Sequence, residues 1–129
     1  MRVGIFGTGI TTSSASHLNE MLDEVGIEHF NLNSKTKSKK VDCILVMGGD
    51  KGVRNYFHRT FDSSIPVLGI NESESDGFLA QVDLKQFATY ATRLKKMDYH
   101  VEDVPRLGVK IDGKSAYPVL NDVAVFPSK

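Results

Sequence analysis

The sequence predicts an α/β fold: a Rossmann-like three-layer sandwich with a mostly parallel sheet, followed by a carboxy-terminal β-hairpin. Three observations carry this expectation. Short apolar runs alternate with amphipathic helical stretches from Arg2 to Met97, the pattern of strands joined by crossover helices. The run Val41-Asp-Cys-Ile-Leu-Val-Met47 is apolar at almost every position, as in a parallel strand covered on both faces. From Tyr99 onward helical spacing gives way to alternation around Asp112-Gly113, a two-residue hairpin signal.

Taken in order, Arg2 to Gly7 reads as a first strand through Val3, Ile5 and Phe6, ending in Gly7-Thr-Gly-Ile-Thr-Thr-Ser-Ser14. Glycines and hydroxyls between a strand and a helix begin many phosphate cradles, although Thr12 stands where the third glycine of G-x-G-x-x-G would be. This stretch is either a ligand loop or an ordinary turn with Ser13 or Ser14 as helix cap. Leu18, Met21, Leu22 and Val25 form the apolar stripe of the next helix, with His17 off the stripe and Gly26 placed to end it. Ile27 to Leu32 reads as a second strand. Asn33 to Lys40 holds four lysines and no apolar residue, which fits a solvated loop or a cationic lip over a phosphate site.

After the Val41 strand, Gly48 and Gly49 allow a tight turn, and a helix is expected to begin near Gly52 or Val53 and run to Phe61. Its aromatics Tyr56, Phe57 and Phe61 recur at helical spacing and suit the core. Pro66 to Asn71 is a short apolar strand opening into the polar loop Glu72-Ser-Glu-Ser-Asp76. Asp83 can cap a helix through Leu84, Phe87, Ala88, Ala91 and Leu94 to about Met97. The hairpin would pair Arg106–Ile111 with Ser115–Phe126. We therefore expect an α/β nucleotide-binding unit at residues 1–98 and the beginning of a β-rich unit at residues 99–129.

The totals narrow the function. A chain of 129 residues buries roughly two thirds of its unfolded surface, enough for one core. Lys plus Arg equals Asp plus Glu at 16 each, so net charge gives no case for nucleic acid or an acidic membrane surface. One cysteine, Cys43, lies inside the apolar strand and suits a reducing, cytoplasmic setting. No apolar run approaches the roughly 20 residues of a membrane helix. The histidines at 17, 29, 58 and 100 lack metal-ligand spacing.

In open α/β sheets ligands sit beyond the carboxyl ends of strands, which places Asp50 at a site edge. Glycines there suit a phosphate, whereas a carboxylate opposes it. At about 5 Å and an effective dielectric near 20 the repulsion is roughly 3 kcal/mol. A helix N-terminus returns only about 0.3–1 kcal/mol. Asp50 beside phosphates therefore calls for a bridging Mg²⁺, a hydroxyl whose proton it accepts, or a cation such as Lys51; otherwise it is a helix cap.

Three segments together resemble the NAD kinase family, which phosphorylates the 2′-hydroxyl of the adenosine ribose of NAD to give NADP. Gly48-Gly-Asp50 is similar to the start of its GGDGT signature. Pro66-Val-Leu-Gly-Ile-Asn71 with Gly77-Phe-Leu79 resembles its second strand-loop, and Leu120-Asn-Asp122-Val-Ala-Val resembles its Asn-Glu/Asp motif. The resemblance implies that Asp50 is the general base, that Gly48 and Gly49 form the phosphate-contacting turn, and that Asn71, Asn121 and Asp122 help hold NAD. It also implies ATP or polyphosphate with Mg²⁺ as phosphoryl donor, and a homo-oligomer or a further carboxy-terminal domain to complete the site. Lys51 and Gly52 depart from the signature's glycine and threonine, and the loop at 72–76 is longer and more acidic. A non-catalytic nucleotide-binding or interaction module of the same family is the alternative, and a kinase for another hydroxyl acceptor a third reading.

Overall fold

The computed structural model describes residues 1–7, 11–32, 40–59, 64–72, 79–80, 82–104, 106, 108 and 110–115. Within them β1 (Arg2–Gly7), α1 (Thr12–Val25), β2 (Glu28–Asn31), β3 (Cys43–Met47), α2 (Gly49–His58), β4 (Val67–Asn71), β5 (Val82–Asp83) and α3 (Leu84–Lys95) follow one another. The hairpin strands β6 (Lys110–Ile111) and β7 (Lys114–Ser115) come last. β1 to β5 form one sheet in the order β2-β1-β3-β4-β5, with every pairing parallel.

All five residues of β3 are buried, as a strand in the middle of the sheet with both faces covered must be. Its side chains alternate between two cores. Cys43, Leu45 and Met47 join Leu18, Met21 and Leu22 of α1 and Phe87, Ala91 and Leu94 of α3, whereas Ile44 and Val46 join Val53 of α2 and Ala80. α1 and α3 thus cover one face and α2 the other, which is the expected three-layer arrangement. Phe87 is fully buried at the first of these contacts, a burial worth about 1.5–3 kcal/mol.

The helix ends differ from expectation in three places. One is that α2 stops at His58, with Arg59 as its C-cap, short of the expected Phe61, which itself lies outside the described residues. Thr11, rather than Ser13 or Ser14, caps α1, its hydroxyl accepting the Ser14 N–H at 3.2 Å. α2 begins at Gly49 instead of near Gly52 or Val53. Gly48 and Gly49 take left-handed φ of 101° and 67°, and the Gly52 N–H already donates to the Gly48 carbonyl at 3.2 Å. The glycine pair therefore bends directly into the first helical turn, and Asp50 belongs to that turn. α3 starts as expected, on a capping box in which Asp83 and Gln86 exchange side-chain to backbone bonds of 2.7 and 3.0 Å.

β5 is an addition to the expected set: two residues that extend the sheet beside Ile70 and Asn71. The hairpin turns through Asp112 and Gly113 at φ of 50° and 79°, the turn that the Asp-Gly pair favours. Both of its strands are exposed. Its proposed continuation to Phe126 lies outside the described residues, as does most of the lysine segment. Arg106 ties the stretch after α3 to the end of α2, donating from Nη2 to the Phe57 carbonyl and lying 5.1 Å from the Phe57 ring centroid. Among the described residues no helix is long and apolar enough to cross a membrane.

Candidate functional site

In a sheet of this order the chain reverses its direction of winding between β1 and β3, and the crevice beyond their carboxyl ends is where such folds accept ligands. Four of the residues singled out from the sequence come from this edge. Gly48, Gly49 and Asp50 follow β3, and Asn71 ends β4, which pairs with β3 along Ile44–Met47.

Two side chains grip the same dipeptide. Asp50 accepts the N–H groups of Leu79 and Ala80 on its Oδ1 at 2.9 and 2.8 Å. Asn71 donates from Nδ2 to the Ala80 carbonyl at 2.6 Å and is only 6% exposed. Ala80 is thus held at both its N–H and its C=O, and the segment returning after the acidic loop is fixed over the strand ends. Charge-assisted bonds such as those to Asp50 are the stronger kind.

Two glycines make this packing possible. A Cβ on Gly49 would lie 2.5 Å from Asn71 Oδ1. One on Gly52 would lie 2.2 Å from the Met47 carbonyl oxygen. A Thr or Ser at 52 would therefore collide with the end of β3, which is a physical reason for the Gly52 departure noted in the sequence. Lys51, also in the first turn of α2, is exposed.

A second network was not foreseen. Glu72, the residue after β4, turns its Oε2 toward the start of α1, accepting from the Thr11 N–H at 3.3 Å, the Thr11 hydroxyl at 3.1 Å and the Ser14 hydroxyl at 2.9 Å. The Thr11 hydroxyl also lies 2.9 Å from Ser14 Oγ, so its single proton is shared between two acceptors. The only sequence signal was the hydroxyl run Thr11-Thr-Ser-Ser14, which announces a cap without naming its distant partner.

Asn121 and Asp122 lie outside the described residues, as do residues 73–76 of the acidic loop and Gly77-Phe78. Cys43 is buried away from this edge, and its burial pushes the thiol up to about 11, which fits an inert core residue. Among the described residues no three His, Cys, Asp or Glu side chains gather as a metal cage.

A parallel sheet of order 2-1-3-4-5, with a glycine pair, a carboxylate and an amide at its carboxyl edge, defines an open, doubly wound α/β domain. The model of one family, the ATP-NAD kinase N-terminal domain, matches residues 9–99. The chain belongs to the NAD kinase family. It is 32% identical over 108 residues to the NAD kinase of Methanopyrus kandleri, covering 83% of this chain and 39% of that one. It is 37% identical over 87 residues to the NAD kinase of Thermococcus kodakarensis, covering 67% and 31%. The chain therefore spans only 31–39% of the length of these relatives. The fold is similar to an NAD kinase from Archaeoglobus fulgidus solved in complex with ATP, with a TM-score of 0.60 and 19% identity over 84% of this chain and 41% of that one. It is also similar to yeast NADH kinase complexed with NADH, with a TM-score of 0.66 and 14% identity over 92% and 46%.

Proposed function

We propose that this chain is the nucleotide-binding part of an NAD kinase that transfers a phosphoryl group from ATP or polyphosphate to the 2′-hydroxyl of NAD. Residues 1–98 form the nucleotide-binding unit in this reading. The hairpin within residues 99–129 opens a second, β-rich unit, and further polypeptide or a second copy of the chain completes the site. The observation that carries the reading is the convergence of Asp50, which follows the Gly48-Gly49 pair, and Asn71 on one dipeptide, Leu79–Ala80, at the carboxyl edge of the sheet. Asp50 is the group that accepts the proton of the attacking hydroxyl, its carboxylate oriented by the two backbone N–H groups. Gly48 and Gly49 bring backbone close to the phosphates, while Asn71, Asn121 and Asp122 hold NAD. Mg²⁺ enters as part of the phosphoryl donor, where it offsets the repulsion between phosphate and Asp50. Such a reaction belongs in the cytoplasm.

The test is NADP formation from NAD, ATP and Mg²⁺, measured for this chain and for the full-length product of its gene. Turnover in the full-length product supports the reading; its absence with every donor, polyphosphate included, refutes it.

One observation favours a second reading. The Asp50 and Glu72 carboxylates are both engaged within the protein, Asp50 on backbone N–H groups and Glu72 on α1. A non-catalytic module that binds a nucleotide or a partner would use them this way permanently. Calorimetric titration with NAD, NADP and ATP separates the two: binding without turnover in any form of the protein favours the module.

A further inference from the structure

α1 and α3 each follow the carboxyl end of a strand in one parallel sheet and share one core, so they run in the same direction over the same face. Their exposed charges are of opposite sign. α1 carries Glu20, Asp23 and Glu24 and no lysine or arginine, all three exposed on the side away from the buried Leu18, Met21 and Leu22. α3 with its C-cap carries Lys85, Arg93, Lys95 and Lys96 and no acid, again exposed beside the buried Phe87, Ala91 and Leu94. The carboxyl ends of the two helices are level, since a Cβ on Gly26, the C-cap of α1, would lie 3.0 Å from Lys95 Nζ. Asp23 pairs with His29 and Arg93 with Asp98. Among the described residues Glu20, Glu24, Lys85 and Lys96 make no ion pair.

We propose that the α1–α3 face is a self-complementary docking surface for a second copy of the chain, the two copies being related by a two-fold axis parallel to the helices. That axis sets α1 of each copy on α3 of the other, running in the same direction, so Glu20 and Glu24 meet Arg93 and Lys96 at the same level, twice over. A two-fold axis across the helices would set each helix on its own copy and forgo these pairs. A surface bearing both signs side by side fits itself better than it fits any uniformly charged partner. The chain's formal net charge of zero leaves no overall repulsion against such association. Helices of 14 and 12 residues are about 20 Å long, and two of them side by side offer roughly 400 Å², half the ~800 Å² per partner of a standard interface. The dimer is therefore weak, with Kd on the order of tens of micromolar, and salt-sensitive. The paired charges lie toward the amino ends of the strands, opposite the edge that bears Asp50, so pairing leaves the crevice open and does not require phosphoryl transfer.

Sedimentation velocity on the whole chain tests it, over a concentration series that brackets the expected Kd. The parent is compared with Glu20→Lys/Glu24→Lys, with Arg93→Glu/Lys96→Glu, and with Glu102→Lys/Asp103→Lys, which reverses two exposed acids beyond α3. All six positions are exposed, and circular dichroism checks that each variant is folded. The parent is expected to dimerise at low salt, with Kd rising about tenfold or more in about 0.5 M NaCl. Each of the two face variants alone is expected to lose about tenfold or more in affinity, and the Glu102→Lys/Asp103→Lys variant less than about twofold. An equal mixture of the two face variants is expected to regain the dimer, because the altered α1 of one meets the altered α3 of the other while the unaltered helices pair as before. A monomeric parent overturns the pairing. So does a dimer that survives in either face variant, a mixture that stays monomeric, or an equal loss in Glu102→Lys/Asp103→Lys, which would make the effect one of net charge. A monomeric chain whose full-length product forms NADP overturns the pairing alone, and a dimer without turnover in the full-length product overturns the kinase reading alone, so the two failures are distinguishable.

Discussion

Replacing Asp50 by alanine and by asparagine separates its structural work from any chemistry it performs. The carboxylate oxygen Oδ1 receives the Leu79 and Ala80 N–H groups at 2.9 and 2.8 Å in a half-buried setting. In Asp50→Ala both donors lose their acceptor, and each poorly solvated N–H costs about 1–2 kcal/mol, or about 2–4 kcal/mol together. Asparagine keeps an oxygen in the same place, so Asp50→Asn loses only charge assistance and the favourable charge in the first turn of α2, about 1 kcal/mol. With a urea slope near 1.5 kcal/mol per molar for a domain of this size, the midpoint is expected to fall by roughly 2 M for alanine and under about 1 M for asparagine. Equilibrium unfolding in urea, followed by circular dichroism, reads both values. An alanine variant as stable as the parent would refute the hold on Leu79–Ala80. An asparagine variant as damaged as alanine would show that the charge, and not the acceptor position, holds this turn.

The neighbouring residues give three more expectations. Gly52→Ala places a methyl group 2.2 Å from the Met47 carbonyl oxygen, backbone that cannot step aside, and is expected to cost about 3 kcal/mol or more by thermal or urea unfolding. Asn71→Ala leaves the Ala80 carbonyl without its 2.6 Å partner and is expected to cost about 1–3 kcal/mol, with faster amide exchange around Leu79 and Ala80. The Cys43 thiol has its pKa raised from 9.0 to about 11 in the folded chain, chiefly by burial, so the unfolded chain gives up the proton first. Stability from this group is intact below pH 9 and lost as pH rises to 11, by at most about 2–3 kcal/mol, and urea midpoints of Cys43→Ala should lack this part of the alkaline decline.

Much of the fold was legible because its signals are local and repeat along the chain. The unbroken apolar run at Cys43–Met47 announced a strand buried on both faces, and Leu18, Met21 and Leu22 announced the inward stripe of α1. The bounds of β1 and the Asp83 cap of α3 were likewise readable from residue type. The start of α2 was not, because two glycines signal a turn and only their φ values of 101° and 67° show the turn merging into the helix. β5 is two residues long and has no period to detect. Thr11 could not be picked out as cap from four consecutive hydroxyl residues that all satisfy the preference. At the site, the strand ends bearing Asp50 and Asn71 were legible, but their common partner was not, since the Leu79 and Ala80 backbone carries no side-chain signature. The Glu72 bonds to Thr11 and Ser14 span 61 and 58 residues and arise only once β1, β3 and β4 lie side by side.

The central proposal is that Asp50 serves phosphoryl transfer as the base for the 2′-hydroxyl of NAD, and one comparison tests it most directly. NADP formation by the full-length product of the gene is measured with ATP and Mg²⁺ for the parent and for Asp50→Asn, whose folded structure the amide oxygen preserves. Loss of a general base is expected to lower kcat by about 10²–10⁴ while KM for NAD changes only a few fold. Turnover equal to the parent's in Asp50→Asn would contradict that role and leave Asp50 as the residue that holds Leu79 and Ala80 in place.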